Sequence, residues 1–162
     1  WSTVDLGNEQ LTKSTDDDAI ALTNMDKNFG IVADESTSYL FAINYSSDNP
    51  VLKVSKLPIF VRGGMNGWGT ANMFTYQGAG VYTADVELSA GTIEFKVASE
   101  DWATVNLGNP NDAASNAVVT GQAKVLGSSN NNLVIEVSDA GLYEFKVSGP
   151  DGNAPSLTVT MK

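Results

Sequence analysis

The chain has 162 residues, 42 % of them hydrophobic, enough for one domain with a real core or for one domain and part of another. A net charge of −10 disfavours nucleic acid and anionic membrane surfaces, which both call for a basic stripe. With no Cys and no His, thiolate and imidazole metal sites, Cys nucleophiles and Ser-His-Asp triads are excluded.

No apolar run approaches the roughly 20 residues of a membrane helix, so no membrane insertion is expected. The chain starts on Trp1 rather than Met and shows no signal-like run, so it is expected to be a processed or excised piece of something longer. Residues 1–26 open Trp1-Ser2-Thr3-Val4-Asp5-Leu6-Gly7-Asn8 and then turn polar. Asp16-Asp17-Asp18 follows in a Ser/Thr-rich stretch. Clustered carboxylates suit calcium, but the alternating ligands and central Gly of an EF-hand loop are missing. A solvated loop is the expectation, and no cofactor or metal is assigned.

Residues 27–56 read as three short strands: Phe29-Gly30-Ile31-Val32, Tyr39-Leu40-Phe41-Ala42-Ile43 and Val51-Leu52-Lys53-Val54. In residues 57–102, Ile59 and Val61 share a face, and so do Tyr82, Ala84, Val86 and Leu88. After the turn Ser89-Ala90-Gly91, the residues Ile93, Phe95 and Val97 point inward and Glu94 and Lys96 outward. Residues 103–162 carry a Gly/Asn/Ala-rich stretch, in which 113–119 has room for one helical turn at most. Three alternating strands follow, on Leu133/Ile135/Val137, Tyr143/Phe145/Val147 and Leu157/Val159/Met161. Short strands at regular spacing, with no long helical period, predict an all-β, antiparallel, immunoglobulin-like β-sandwich.

The two ends of the chain match. Trp1-Ser2-Thr3-Val4-Asp5-Leu6-Gly7-Asn8 aligns with Trp102-Ala103-Thr104-Val105-Asn106-Leu107-Gly108-Asn109. Further on, Tyr39-Leu40-Phe41 aligns with Tyr143-Glu144-Phe145, and Pro50-Val51-Leu52-Lys53-Val54 with Pro155-Ser156-Leu157-Thr158-Val159. Residues 57–162 thus read as one complete unit, and residues 1–56 as the back half of a preceding unit whose front half is absent. Half a sandwich exposes strand edges and an apolar face. The missing front half, packing on the complete unit, or strand exchange between two chains in a dimer would cover it.

Two tryptophans carry the functional expectation. Trp68 follows Met65-Asn66-Gly67 and Trp102 follows Ser99-Glu100-Asp101, and both triplets are turn-forming. Stacked strands bring those turns together. A pyranose presents a face of C–H groups that an indole buries at small entropic cost, while its hydroxyls need rim donors and acceptors. Lys96, on the strand leading to Trp102, and the run Asn130-Asn131-Asn132 are the candidates.

These residues resemble a known family. Met65-Asn66-Gly67-Trp68, Val81-Tyr82-Thr83-Ala84-Asp85-Val86-Glu87-Leu88, Ala90-Gly91, Glu94-Phe95-Lys96-Val97, Trp102 and Asn131-Asn132-Leu133-Val134 are similar to the α-glucan-binding β-sandwich modules. That family includes the glycogen-binding domain of the AMP-activated kinase β-subunit and the starch-binding modules of bacterial pullulanases and α-amylases. It also includes outer-membrane starch-binding proteins of gut Bacteroidetes. The resemblance spans about residues 57–137. By position it implies Trp68 and Trp102 as stacking platforms, Lys96 as charged donor and Asn131 as rim amide, with Asn132 the alternative one position on. Here 109–127 is a long insertion relative to the kinase domain, which bears on the number of sugar subsites. The repeat carries over Trp1 for Trp102 and Lys27-Asn28 for Asn131-Asn132.

What the resemblance implies is a non-catalytic module that binds α-glucan polysaccharide or maltooligosaccharide. It would belong to a larger secreted or cell-surface bacterial enzyme of amylase or pullulanase type, with an attached catalytic domain. The rival expectation is an immunoglobulin-like spacer without a ligand. Catalysis is not expected, because Asp and Glu fall mostly in polar loops or on wet strand faces.

Overall fold

The computed structural model describes residues 50–150 and 155–162 in full. Before them it describes the strands β1 (Leu6–Gly7), β2 (Thr12–Ser14), β3 (Ala19–Ala21), β4 (Thr23–Asn24), β5 (Gly30–Val32) and β6 (Tyr39–Asn44). Trp1, the aspartates 16–18 and Lys27-Asn28 lie outside the described residues. The chain divides into two compact units, Trp1–Leu57 and Pro58–Lys162. In the first, β1 pairs antiparallel with β4, and β2 pairs parallel with β5. Strand β7 (Val51–Lys56) lies between β3 and β6.

The second unit is an antiparallel β-sandwich with one parallel pair. Its strands are β8 (Ile59–Gly63), β9 (Asn72–Met73), β10 (Thr75–Gly78), β11 (Val81–Leu88), β12 (Gly91–Ser99), β13 (Asn106–Gly108), β14 (Ala117–Val118), β15 (Lys124–Val125), β16 (Gly127–Ser128), β17 (Leu133–Val137), β18 (Gly141–Ser148) and β19 (Ser156–Met161). One sheet runs β10-β11-β18-β19-β15. The other runs β14-β17-β12-β13-β16, with β8 also paired to β12.

Period-two alternation builds the core between the sheets. Tyr82, Ala84, Val86 and Leu88 of β11 are buried, as are Tyr143, Phe145 and Val147 of β18 and Leu133, Ile135 and Val137 of β17. Phe95 and Phe145 join the two layers edge to face, with centroids 5.3 Å apart and planes at 88°. The stretch 113–119 forms no helical turn; Ala117–Val118 instead lies parallel to β17.

The second half of β12 departs from the alternation. All of Phe95, Lys96, Val97, Ala98 and Ser99 are buried, so Lys96 does not project into solvent as its strand parity predicts. Strand β8 is likewise buried on both faces, including Arg62. Parity decides the face of a sheet a side chain takes. It does not reveal that loops lie over that face.

Candidate functional site

The site is built on the outer face of the β8/β12 ladder. Arg62 and Lys96 are cross-strand partners there, two cations side by side. Like charges in that position repel, so strong compensating contacts are required. Two turns, one at the end of β8 and one at the end of β12, supply them for Arg62, and the Ser129 carbonyl supplies one for Lys96.

The first turn is set by Asn66. Its Oδ1 accepts from the Gly63 N–H at 3.0 Å, and its Nδ2 donates to the Val61 carbonyl at 2.7 Å and to Asn72 Oδ1 at 2.8 Å. These bonds fold Gly64–Asn66 into a 3-10 turn, and Gly67 follows in the left-handed region at φ 59°. A side chain at Gly63 would strike the Glu94 carbonyl at 2.4 Å, so that position has to be glycine. Trp68 closes the turn, its N–H donating to the Gly63 carbonyl at 2.9 Å.

The second turn is set by Asp101. One carboxylate oxygen accepts from the Ser99 hydroxyl and from the N–H groups of Ala103 and Thr104, both at 3.1 Å. The other accepts from the Thr104 hydroxyl at 2.7 Å. The Ser99 and Thr104 hydrogen bonds hold the Asp101 carboxyl far below the usual carboxylate range. Trp102 sits at the turn with φ 58°, and Trp68 has φ 64°. Left-handed backbone is unusual for a bulky aromatic and persists only where the surroundings fix it.

The two indoles meet. Their ring centroids are 6.2 Å apart and their planes tilt by 44°. Both side chains are half-buried. They form part of a groove of about 410 Å³ lined also by Lys96, Asn106, Asn130 and Asn132. Gly108 makes room for Lys96, since a Cβ there would come within 3.0 Å of Lys96 Cε. Lys96 is 4 % exposed, and its ammonium donates to the Ser129 carbonyl. Burial pushes its pKa down. Asn106 Nδ2 donates to Asn130 Oδ1 at 3.1 Å, and Asn132 Nδ2 to Glu94 Oε2 at 2.9 Å.

Of the residues expected from the sequence, Trp68, Lys96, Trp102, Asn130 and Asn132 come together in the groove. Asn131 does not line it. Its amide turns away and donates to Asn111 Oδ1 at 3.1 Å, so Asn132, the alternative position, faces the groove with Asn130. Trp1 lies outside the described residues. Two residues were missed. Asn106 carries no spacing signal. Arg62 does carry one, as a lone cation within the buried strand Ile59–Gly63. Among the described residues no cluster of carboxylates could hold a metal ion, and no helix is long and apolar enough to cross a membrane.

The fold and the groove together define a β-sandwich with a paired-tryptophan, amide-rimmed groove on one outer face. No family model matches the chain, and no curated protein matches it. A solved structure described as "Ligand induced structure of AmyP-SBD" aligns with a TM-score of 0.48 and 20% identity, covering 64% of this chain and 71% of that one. A likeness of that degree decides neither fold nor ligand.

Proposed function

We propose that the groove binds α-linked glucan chains, such as starch, glycogen or maltooligosaccharides, without hydrolysing them. The observation that carries this is the indole pair, 6.2 Å apart and tilted by 44°, beside one lysine and three carboxamides. The indoles offer apolar faces to pyranose C–H groups, and the amides and ammonium suit a sugar's mixed donors and acceptors. Planes that tilt match a chain that bends from one ring to the next, as α-1,4 links make it do. A flat β-1,4 ribbon would call for coplanar platforms. A volume of about 410 Å³ lies in the range of small-ligand sites. The lining offers no pair of carboxylates of the kind glycoside hydrolysis uses.

In this reading the chain is an accessory part of a secreted or cell-surface amylolytic protein, keeping glucan near a catalytic domain. Residues 1–56 are read as the back half of a second such unit. Strand pairing supports that. Phe41 pairs with Val54 and Ile43 with Leu52, as Phe145 pairs with Val159 and Val147 with Leu157. Likewise Leu6 pairs with Asn24 as Leu107 pairs with Ser128, and Ile20 with Leu52 as Lys124 with Leu157. Each additional glucan site would raise avidity where a single site is weak.

The test is affinity electrophoresis in gels containing starch, glycogen, pullulan, dextran or cellulose, with Trp68→Ala and Trp102→Ala beside the parent. Retardation by the α-1,4-linked glucans, lost in both variants, is the expected result. Equal mobility of all three proteins in every gel overturns the proposal.

A further inference from the structure

We propose that Arg62 is the positioning residue of the groove: it clamps the two tryptophan turns to each other and so sets the angle between the indoles. The role rests on the glucan-binding reading of the groove, but the clamp itself can be tested apart from it.

Arg62 is 8 % exposed in a strand whose other members are Ile59, Phe60, Val61 and Gly63. A buried guanidinium is costly unless its donors are met. Here three of its five N–H donors are met by carbonyls of the two turns. Nε donates to the Trp68 carbonyl at 2.9 Å. Nη1 donates to the Ser99 and Glu100 carbonyls, both at 2.9 Å. Cζ lies 3.8 Å from the centroid of the Trp102 ring. One side chain therefore holds the backbone of Trp68, the backbone leading into Trp102, and a face of the Trp102 indole.

Each turn also has bonds of its own. Asn66 closes the first and Asp101 the second, yet neither reaches the other turn. Among the described residues it is Arg62 that bonds to both. Trp68 and Trp102 hold left-handed backbone, as only Ala79 does among the other described non-glycine residues. Strained backbone of this kind relaxes when an outside constraint is removed. The planar fork of a guanidinium sends Nε and Nη1 to different carbonyls while its face stacks on the ring. A lysine ammonium is a point donor without such a plane and cannot do both. Because Arg62 covers one face of Trp102, a sugar has only the opposite face to stack on. The groove is thereby preformed, and the ordering cost of two mobile indoles is removed from binding.

The experiment uses the full chain with Arg62→Lys and Arg62→Gln, and Trp68→Phe as the reference without the indole pair. Circular dichroism reads the exciton coupling of the indoles, and calorimetric titration with maltoheptaose reads affinity. In the unmutated protein, NMR reads the ring-current shift of the Arg62 side-chain protons, which requires no variant to fold. Expected are upfield-shifted Arg62 protons, loss of the exciton signature in both variants, and a fall in affinity of about tenfold. Lysine does not rescue. Unshifted Arg62 protons overturn the clamp, as does an unchanged exciton signature in either variant. If the unmutated protein shows the shift and the variants lose the signature, but no variant or parent binds maltoheptaose, the glucan reading fails and the clamp stands. If Trp68→Phe weakens binding while Arg62→Lys changes neither signature nor affinity, the clamp fails and the glucan reading stands.

Discussion

Replacing Gly108 with alanine tests whether the groove is built as described. The added methyl would sit 2.1 Å from the Asn131 carbonyl oxygen and 3.0 Å from Lys96 Cε, where ordinary contact begins at 3.4 Å. The oxygen belongs to backbone and cannot swing away. The two segments must part, which strains the Asn109 N–H to Asn131 carbonyl bond of 3.0 Å and the short β13/β16 ladder. Overpacking of this kind costs about 1–3 kcal/mol and the lost hydrogen bond about 1 kcal/mol, together roughly 2–4 kcal/mol. The same movement shifts Lys96 and Asn132 within the groove. Losing one of those contacts lowers glucan affinity by about tenfold. Urea unfolding with linear extrapolation reads the first effect, and titration with maltoheptaose at a urea-free, fully folded temperature reads the second. Gly67→Ala is the control, because nothing lies within 4 Å of a Cβ there. Its left-handed φ costs roughly 1–2 kcal/mol without a collision. A Gly108→Ala protein within about 0.5 kcal/mol of the parent, with unchanged affinity, would refute the close approach of these two segments.

Three further outcomes follow from the same geometry. Asp101→Ala removes the acceptor for four N–H and O–H groups around Trp102, so maltoheptaose affinity should fall several-fold while Asp101→Asn keeps most of it; titration of both variants checks this. Burial lowers the Lys96 pKa, so above that value the folded protein gives up a proton that the unfolded chain still holds. Stability contributed by this group therefore rises with pH between the lowered value and the ordinary lysine value, while glucan affinity falls over the same window; urea midpoints and titrations in alkaline buffers read the two opposite trends. The fragment 58–162, a compact unit, should fold cooperatively and keep the groove's affinity; urea unfolding and titration with maltoheptaose read this, and a fragment that unfolds or fails to bind would contradict it.

Much of this fold is legible in the sequence because alternation reports which face a residue takes. Tyr82, Ala84, Val86 and Leu88 are core residues for that reason, and so are Leu133, Ile135 and Val137. The turn before Trp68 is legible because Asn and Gly have local reasons to be there: a side chain that bonds its own backbone, and a left-handed φ. Lys96 shows the limit of parity. Its outward direction is right, but the Ser129 carbonyl and the Gly108 backbone lie over it, and that cover comes from residues distant in sequence. Strands of two residues, such as Lys124–Val125 and Gly127–Ser128, are too short to show a period. Asn131 and Asn132 differ in sequence by nothing that fixes which amide faces the groove. That is decided by Asn111, which takes the Asn131 amide.

The most direct measurement is an NMR titration following the indole N–H resonances of the protein, assigned by single Trp→Phe substitutions. With maltoheptaose, the Trp68 and Trp102 resonances should move together along one saturation curve, and with cellohexaose they should stay in place. Stationary Trp68 and Trp102 resonances at saturating maltoheptaose, or equal movement with both sugars, would contradict the account.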